Sequence, residues 1–111
     1  MTAAWKALEL RVAKALGGRR AGPLGAATSD IVGVPFAVEC KRCTRYQLRS
    51  AWIEQARRQS KAEGNPWLLV IAEHGDRRAL AVCDFLYFVQ VAQQAGLVPT
   101  PLDLTDAAPS Q

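Results

Sequence analysis

Residues 29–42, SDIVGVPFAVECKR, decide the fold. Two short runs rich in Val, Ile and Phe, 29–34 and 36–42, meet around Gly33-Val34-Pro35, and that pattern predicts a β-hairpin. Side chains alternate along a strand, so in the second run Phe36, Val38 and Cys40 take one face while Ala37, Glu39 and Lys41 take the other. Glu39 and Lys41 therefore project side by side, with Asp30 on the neighbouring strand.

Upstream, Trp5, Leu8, Val12 and Leu16 recur at helical spacing, with Thr2 as N-cap and Gly17-Gly18 as a stop, which predicts an amphipathic helix over 3–16. Glu9 lies on or beside the apolar stripe, where a carboxylate is costly unless something pairs with it. Residues 17–28, GGRRAGPLGAAT, read as a loop with a short strand near 19–21. Downstream, a basic connection over 43–49 leads to a helix over 51–63, capped by Ser50 and ended by Gly64-Asn65-Pro66. Trp52, Ala56 and Gln59 share the inner side of this helix, with Gln55 beside them. WLLVIA at 67–72 is apolar throughout, as in a strand covered on both faces. EHGDR at 73–77 is a turn, 78–83 a further strand, and Asp84 caps a last helix over 85–95 that Gly96 stops. This order predicts a single α/β domain over 1–96, a mixed central sheet flanked by helices. The Pro-containing tail, 97–111, is expected to pack loosely or be disordered.

The chain has 111 residues, of which 50% are hydrophobic, enough for one core and too few for a multidomain enzyme. Its longest apolar run is far short of the roughly 20 residues of a membrane span, and Glu9 stands where a signal peptide is apolar. A soluble cytoplasmic protein is expected. Three cysteines cannot pair completely within one chain, so reduced thiols are the default. The net charge of +4 hides an asymmetry: residues 1–61 hold twelve Lys and Arg against four Asp and Glu, and residues 62–111 hold two against six. A basic half suits a polyanion, since each cation near a phosphate releases counterions; it also suits a merely solvated face.

Asp30, then, after eight intervening residues, Glu39, then Lys41 carry the chemistry. Phosphodiester hydrolysis calls for a hard divalent cation on oxygen ligands, which two carboxylates on adjacent strands supply, with the Cys40 backbone carbonyl as a third. Mg²⁺ is the ion this set suits. Lys41 is placed to orient or help deprotonate the attacking water and to offset charge on the phosphate. The same residues would also serve as a surface ion pair and a turn cap, a reading that needs no metal.

Glu9 in the first helix, Ser29-Asp30 on one strand, Glu39-Cys40-Lys41 on the next and Gln55 in the following helix resemble the PD-(D/E)XK nucleases. Within them they resemble the small Holliday junction resolvases of archaea and phages, over residues 5–95. The resemblance implies a restriction-endonuclease-like fold and a Mg²⁺-dependent endonuclease, also active with Mn²⁺, that nicks four-way DNA junctions symmetrically. It implies metal binding by Asp30 and Glu39, completion or support of that site by Glu9, service to the nucleophile by Lys41 and a place beside the site for Gln55. Ser29 stands where the family usually has Pro, and its hydroxyl is a candidate phosphate contact. A nuclease of the same fold acting on flap, forked or single-stranded DNA, or a non-catalytic nucleic-acid-binding module, are the alternatives.

Arg19, Arg20, Arg42, Arg45 and Arg49 border this set and are candidate phosphate contacts, which position DNA without reading bases. Cys40 and Cys43 form a C-x2-C pair that His74 and Cys83 would complete as a zinc site, but alternation turns Cys40 into the apolar face, so core thiols and a surface histidine are expected. The last helix carries Phe85, Leu86, Tyr87, Phe88, Val89 and Val91, more apolar surface than one face needs, and a homodimer is expected.

Overall fold

A computed structural model describes residues 4–22 and 29–99. Among these residues three helices and five strands follow in the order α1 (Ala4–Leu16), β1 (Arg19–Arg20), β2 (Ile31–Val32), β3 (Ala37–Cys43), α2 (Ser50–Glu63), β4 (Trp67–Glu73), β5 (Ala79–Cys83) and α3 (Phe85–Gln94). The strands form one mixed sheet in the order β1-β2-β3-β4-β5. β3 and β4 are parallel, joined through α2, and the other neighbours are antiparallel. The Thr2 cap, most of the glycine-rich loop and the tail beyond Pro99 lie outside the described residues.

The two faces of the sheet are covered by different helices. Leu8, Val12 and Ala13 of α1 bury themselves with Ile31, Val38, Val70 and Ala72, and Cys40 packs against this cluster. Trp52 and Ile53 of α2 cover Cys43, Leu69 and Ile71 on the other face. β4 is thus enclosed on both sides, which is why Trp67–Glu73 has no polar alternation.

Two local expectations are corrected. Ser50 does not cap α2: it is the first helical residue, preceded by Arg49 in extended conformation with no side-chain capping bond. Trp5 is not a core residue but is 51% exposed, with Lys6 and Arg20 against its ring. Asp84 caps α3 as the sequence predicts, accepting from the Leu86 N–H. Gly64 ends α2 in the left-handed conformation at φ 71°.

Gly18, between α1 and β1, lies close against β2 and the turn that follows it. A Cβ there would lie 2.6 Å from both the Val32 carbonyl oxygen and Val34 Cγ1, and the first of these is backbone. Gly18→Ala is therefore expected to destabilise the chain by about 2 kcal/mol, the usual cost of overpacking. A lower urea midpoint at unchanged slope checks this; an unchanged midpoint contradicts the close approach.

Candidate functional site

The short β2–β3 ladder builds the site. Asp30 N donates to Val38 O at 2.8 Å, and one residue pair further on the Asp30 carboxylate replaces the backbone partner, accepting from Cys40 N at 2.7 Å. β3 alternates its backbone bonds between neighbours: Ala37 N donates to Pro66 O and Cys43 O accepts from His74 N on the β4 side, whereas Val38 and Cys40 bond towards β2. The Cys40 carbonyl therefore leaves β3 on the side that carries Asp30. The Cys40 side chain turns into the α1-side core, and burial pushes its thiol pKa up, leaving it inert as a nucleophile.

Glu39 projects towards α2. It is 1% exposed, and Gln55 Nε2 donates to its Oε1 at 2.9 Å. The same amide accepts at Oε1 from Lys41 Nζ, also at 2.9 Å. An ammonium only donates and a carboxylate only accepts, so this chain of bonds fixes which way the Gln55 amide faces. Glu39 Oε2 is buried and has no hydrogen-bond partner among the described residues. An unpaired carboxylate oxygen in such a place is expensive when charged. Its carboxyl is accordingly pushed up to about 7, first by burial, then by the charge of Asp30, with smaller contributions from Glu63 and Glu9 against the relief from Lys41. Asp30 is raised too, by burial and by Glu9, although the Cys40 N–H, Lys41 and Arg20 pull the other way.

Glu9, on the opposite face, is buried and held by Arg20, whose Nε lies 2.8 Å from Glu9 Oε1. Arg20 also lies over the Trp5 ring, its guanidinium carbon 5.5 Å from the centroid. These residues, with Lys6, Ser29 and Asp30, line a cleft of about 290 Å³. Arg20, expected as a phosphate contact, is thus partnered by a carboxylate. The expectation for Ser29 is corrected: it is fully buried, and both its hydroxyl and its backbone N–H donate to Glu63 Oε2, at 2.8 and 3.0 Å. Its hydroxyl is used inside the protein and does not face a phosphate.

Arg19, Arg45 and Arg49 are exposed. Arg49 lies over Trp52 at 5.5 Å, and Arg42 Nη2 is 3.4 Å from His74 Nδ1. Glu63 was not legible as part of this region; its only sequence signal is that it ends the helix carrying Gln55, and its partner is 34 residues away. All three cysteines are free thiols, and no group of three or more His, Cys, Asp or Glu side chains converges among the described residues. The zinc arrangement of Cys40, Cys43, His74 and Cys83 is therefore not formed. Each carboxylate has a partner of its own: Glu9 has Arg20, Asp30 has Cys40 N, and Glu39 has Gln55 at Oε1 alone.

Among the described residues no helix is long and apolar enough to cross a membrane. No protein-family model, curated protein or solved structure matches the chain.

Proposed function

We propose that this chain is a divalent-metal-dependent DNA endonuclease with a restriction-endonuclease-like fold, acting on branched DNA as a Holliday junction resolvase. The observation that carries the reading is the buried, unpartnered Oε2 of Glu39 beside Asp30, with Lys41 tied to the same carboxylate through Gln55. Two mutually repelling carboxylates whose pKa values are both raised, with the Cys40 carbonyl leaving on the same side, form an oxygen donor set that fits Mg²⁺ or Mn²⁺. Asp30, Glu39 and the Cys40 carbonyl would hold the ion. Glu9 supports the set from the other face, where its pairing with Arg20 keeps it from adding a full charge.

When bound, the metal supplies Lewis-acid polarisation of the scissile phosphate and a lowered pKa for the attacking water. The chain's own residues do the rest. Gln55 ties the carboxylate of Glu39 and the ammonium of Lys41 to one side-chain amide, which holds both in place as charge develops. Lys41 lies where it can orient a water and offset charge on the phosphate oxygens. Exposed Arg19, Arg45 and Arg49 add sequence-independent attraction for the backbone, which favours recognition by DNA shape.

The test is cleavage of a labelled immobile four-way junction beside duplex, flap, forked and single-stranded DNA of matching sequence, with Mg²⁺ or EDTA. Paired symmetric nicks confined to the junction and lost in EDTA are the expected result. Metal-dependent cleavage of another structure would keep the site and reassign the substrate, and tight binding without cleavage of any substrate would leave a binding module in its place.

A further inference from the structure

We infer that the cleft beside Asp30 takes one unpaired nucleotide of a DNA strand, with its base stacked on Trp5. The inference rests on the nuclease reading above and narrows its substrate to DNA that offers an unpaired nucleotide next to the bond to be cut. It begins with the place of Trp5 on α1. The other apolar residues of the same helical stripe, Leu8 and Val12, are buried in the core, and Leu16 packs against them. Trp5 belongs to that stripe by spacing, yet half of its surface is left outside the core. It stands one turn before Glu9 on the same side of the helix, and with Lys6, Arg20, Ser29 and Asp30 these two residues line the cleft. An indole is thereby set into the wall of an otherwise polar cleft that also holds a carboxylate of the proposed metal site.

Two cations lie against the ring: Lys6 Nζ is 5.3 Å and the Arg20 guanidinium carbon 5.5 Å from its centroid. At an exposed site such a contact is worth roughly 2- to 5-fold in an equilibrium constant. Stacking a base on an aromatic side chain is worth roughly 5- to 150-fold. A base therefore displaces the exposed Lys6 ammonium from the ring, and the freed cation pairs with the phosphate of the same nucleotide. Arg20 stays where it is, because Glu9 holds its Nε at 2.8 Å, and in staying it offsets the charge of Glu9. Asp30 is the other carboxylate of the cleft, and a nucleotide seated there has its phosphate beside the ion that Asp30 would hold.

Size and energetics select the form of DNA. The cleft has a volume of about 290 Å³, at the small end of ligand sites, which suits one nucleotide and excludes a duplex. A paired base must leave its stack before it can enter, and that cost offsets most of what the ring supplies. A base already unpaired at a branch point, gap or strand end enters at little cost. The ring thus favours interrupted DNA over continuous duplex. It does so without reading sequence, since every base has a π face to stack.

Photocrosslinking of the full chain to DNA carrying 5-iodouracil, in Ca²⁺ to withhold cleavage, tests the subsite directly. The modified base is placed unpaired in a gap or at a branch point, or paired within a duplex arm, and the crosslinked peptide is identified by mass spectrometry. An adduct on Trp5 is expected from the unpaired positions and none from the paired one. Trp5→Ala should weaken binding of gapped DNA by about 10-fold or more while duplex binding stays within about 2-fold, and Trp5→Phe should keep most of the wild-type preference. An adduct that forms elsewhere, or a loss in Trp5→Ala that is equal on gapped and duplex DNA, would overturn the inference. Protection of Trp5 by micromolar deoxyadenosine monophosphate would overturn it too, by making the cleft a site for a free nucleotide. A chain that binds gapped or branched DNA without crosslinking at Trp5 fails this inference alone and leaves the nuclease reading standing; a chain that binds no DNA removes both.

Discussion

Glu39→Ala is expected to abolish junction cleavage, by a factor of about 1,000 or more, while junction binding stays equal or tightens. The asymmetry follows from what the side chain does. On the proposed reading Glu39 would give the metal an oxygen; it also gives Gln55 the acceptor through which Lys41 is held, so its removal would disable both the ion and the cation beside it. It contributes nothing to attraction for DNA; it is a buried negative charge, and losing it favours a polyanion. Single-turnover cleavage at saturating protein, with binding measured in Ca²⁺ or EDTA, separates the two effects. Unchanged cleavage in the variant would sink the site assignment, and loss of binding in parallel with cleavage would make Glu39 a structural residue.

The second large effect is on stability. Glu39 has an ordinary carboxyl value of 4.5 and is pushed up to about 7 in the folded chain. The folded state therefore holds a proton that the unfolded state releases. Stability from this group is fully present below about pH 4.5, falls as pH rises, and is lost above about pH 7. The shift corresponds to about 3 kcal/mol, which in a chain of this size is on the order of 10 °C in Tm. Metal-free protein should accordingly melt lower at pH 8 than at pH 5, and millimolar Mg²⁺ should restore most of the difference at pH 8 if, as proposed, it binds the deprotonated pair. Glu39→Gln, neutral throughout, should flatten the pH dependence and remove the response to Mg²⁺. A wild-type Tm that is level from pH 5 to pH 8, or indifferent to Mg²⁺, would contradict the buried unpaired carboxylate.

Much of the fold was legible because its signals are local. The hairpin, the enclosed strand at 67–72 and the last helix each follow from periodicity and a turn or cap residue within a few positions, and the structure has them as β2–β3, β4 and α3. Ser50 misled because a residue with capping chemistry sat one position inside the helix rather than before it. Within the candidate site, alternation along β3 was enough to put Glu39 and Lys41 on one face and Cys40 on the other, and Gln55 reaches both from α2.

The partners of buried polar groups were not legible. The sequence shows that Glu9 needs a partner; that the partner is Arg20 depends on how β1 lies across α1. Ser29 looked free to meet a phosphate because nothing near it in sequence uses its hydroxyl. Glu63, at the far end of α2, takes it once the hairpin and helix pack together. Such pairings are fixed by tertiary contacts between residues 11 and 34 positions apart, which periodicity does not encode.

The most direct test of the central claim is a crystal of the chain soaked with Mn²⁺ and measured at an energy where manganese scatters anomalously. One anomalous peak is expected between the Asp30 and Glu39 carboxylates, within coordination distance of the Cys40 carbonyl and absent from Glu39→Ala. A well-ordered site with no peak there, at a Mn²⁺ concentration that supports binding elsewhere, would contradict it.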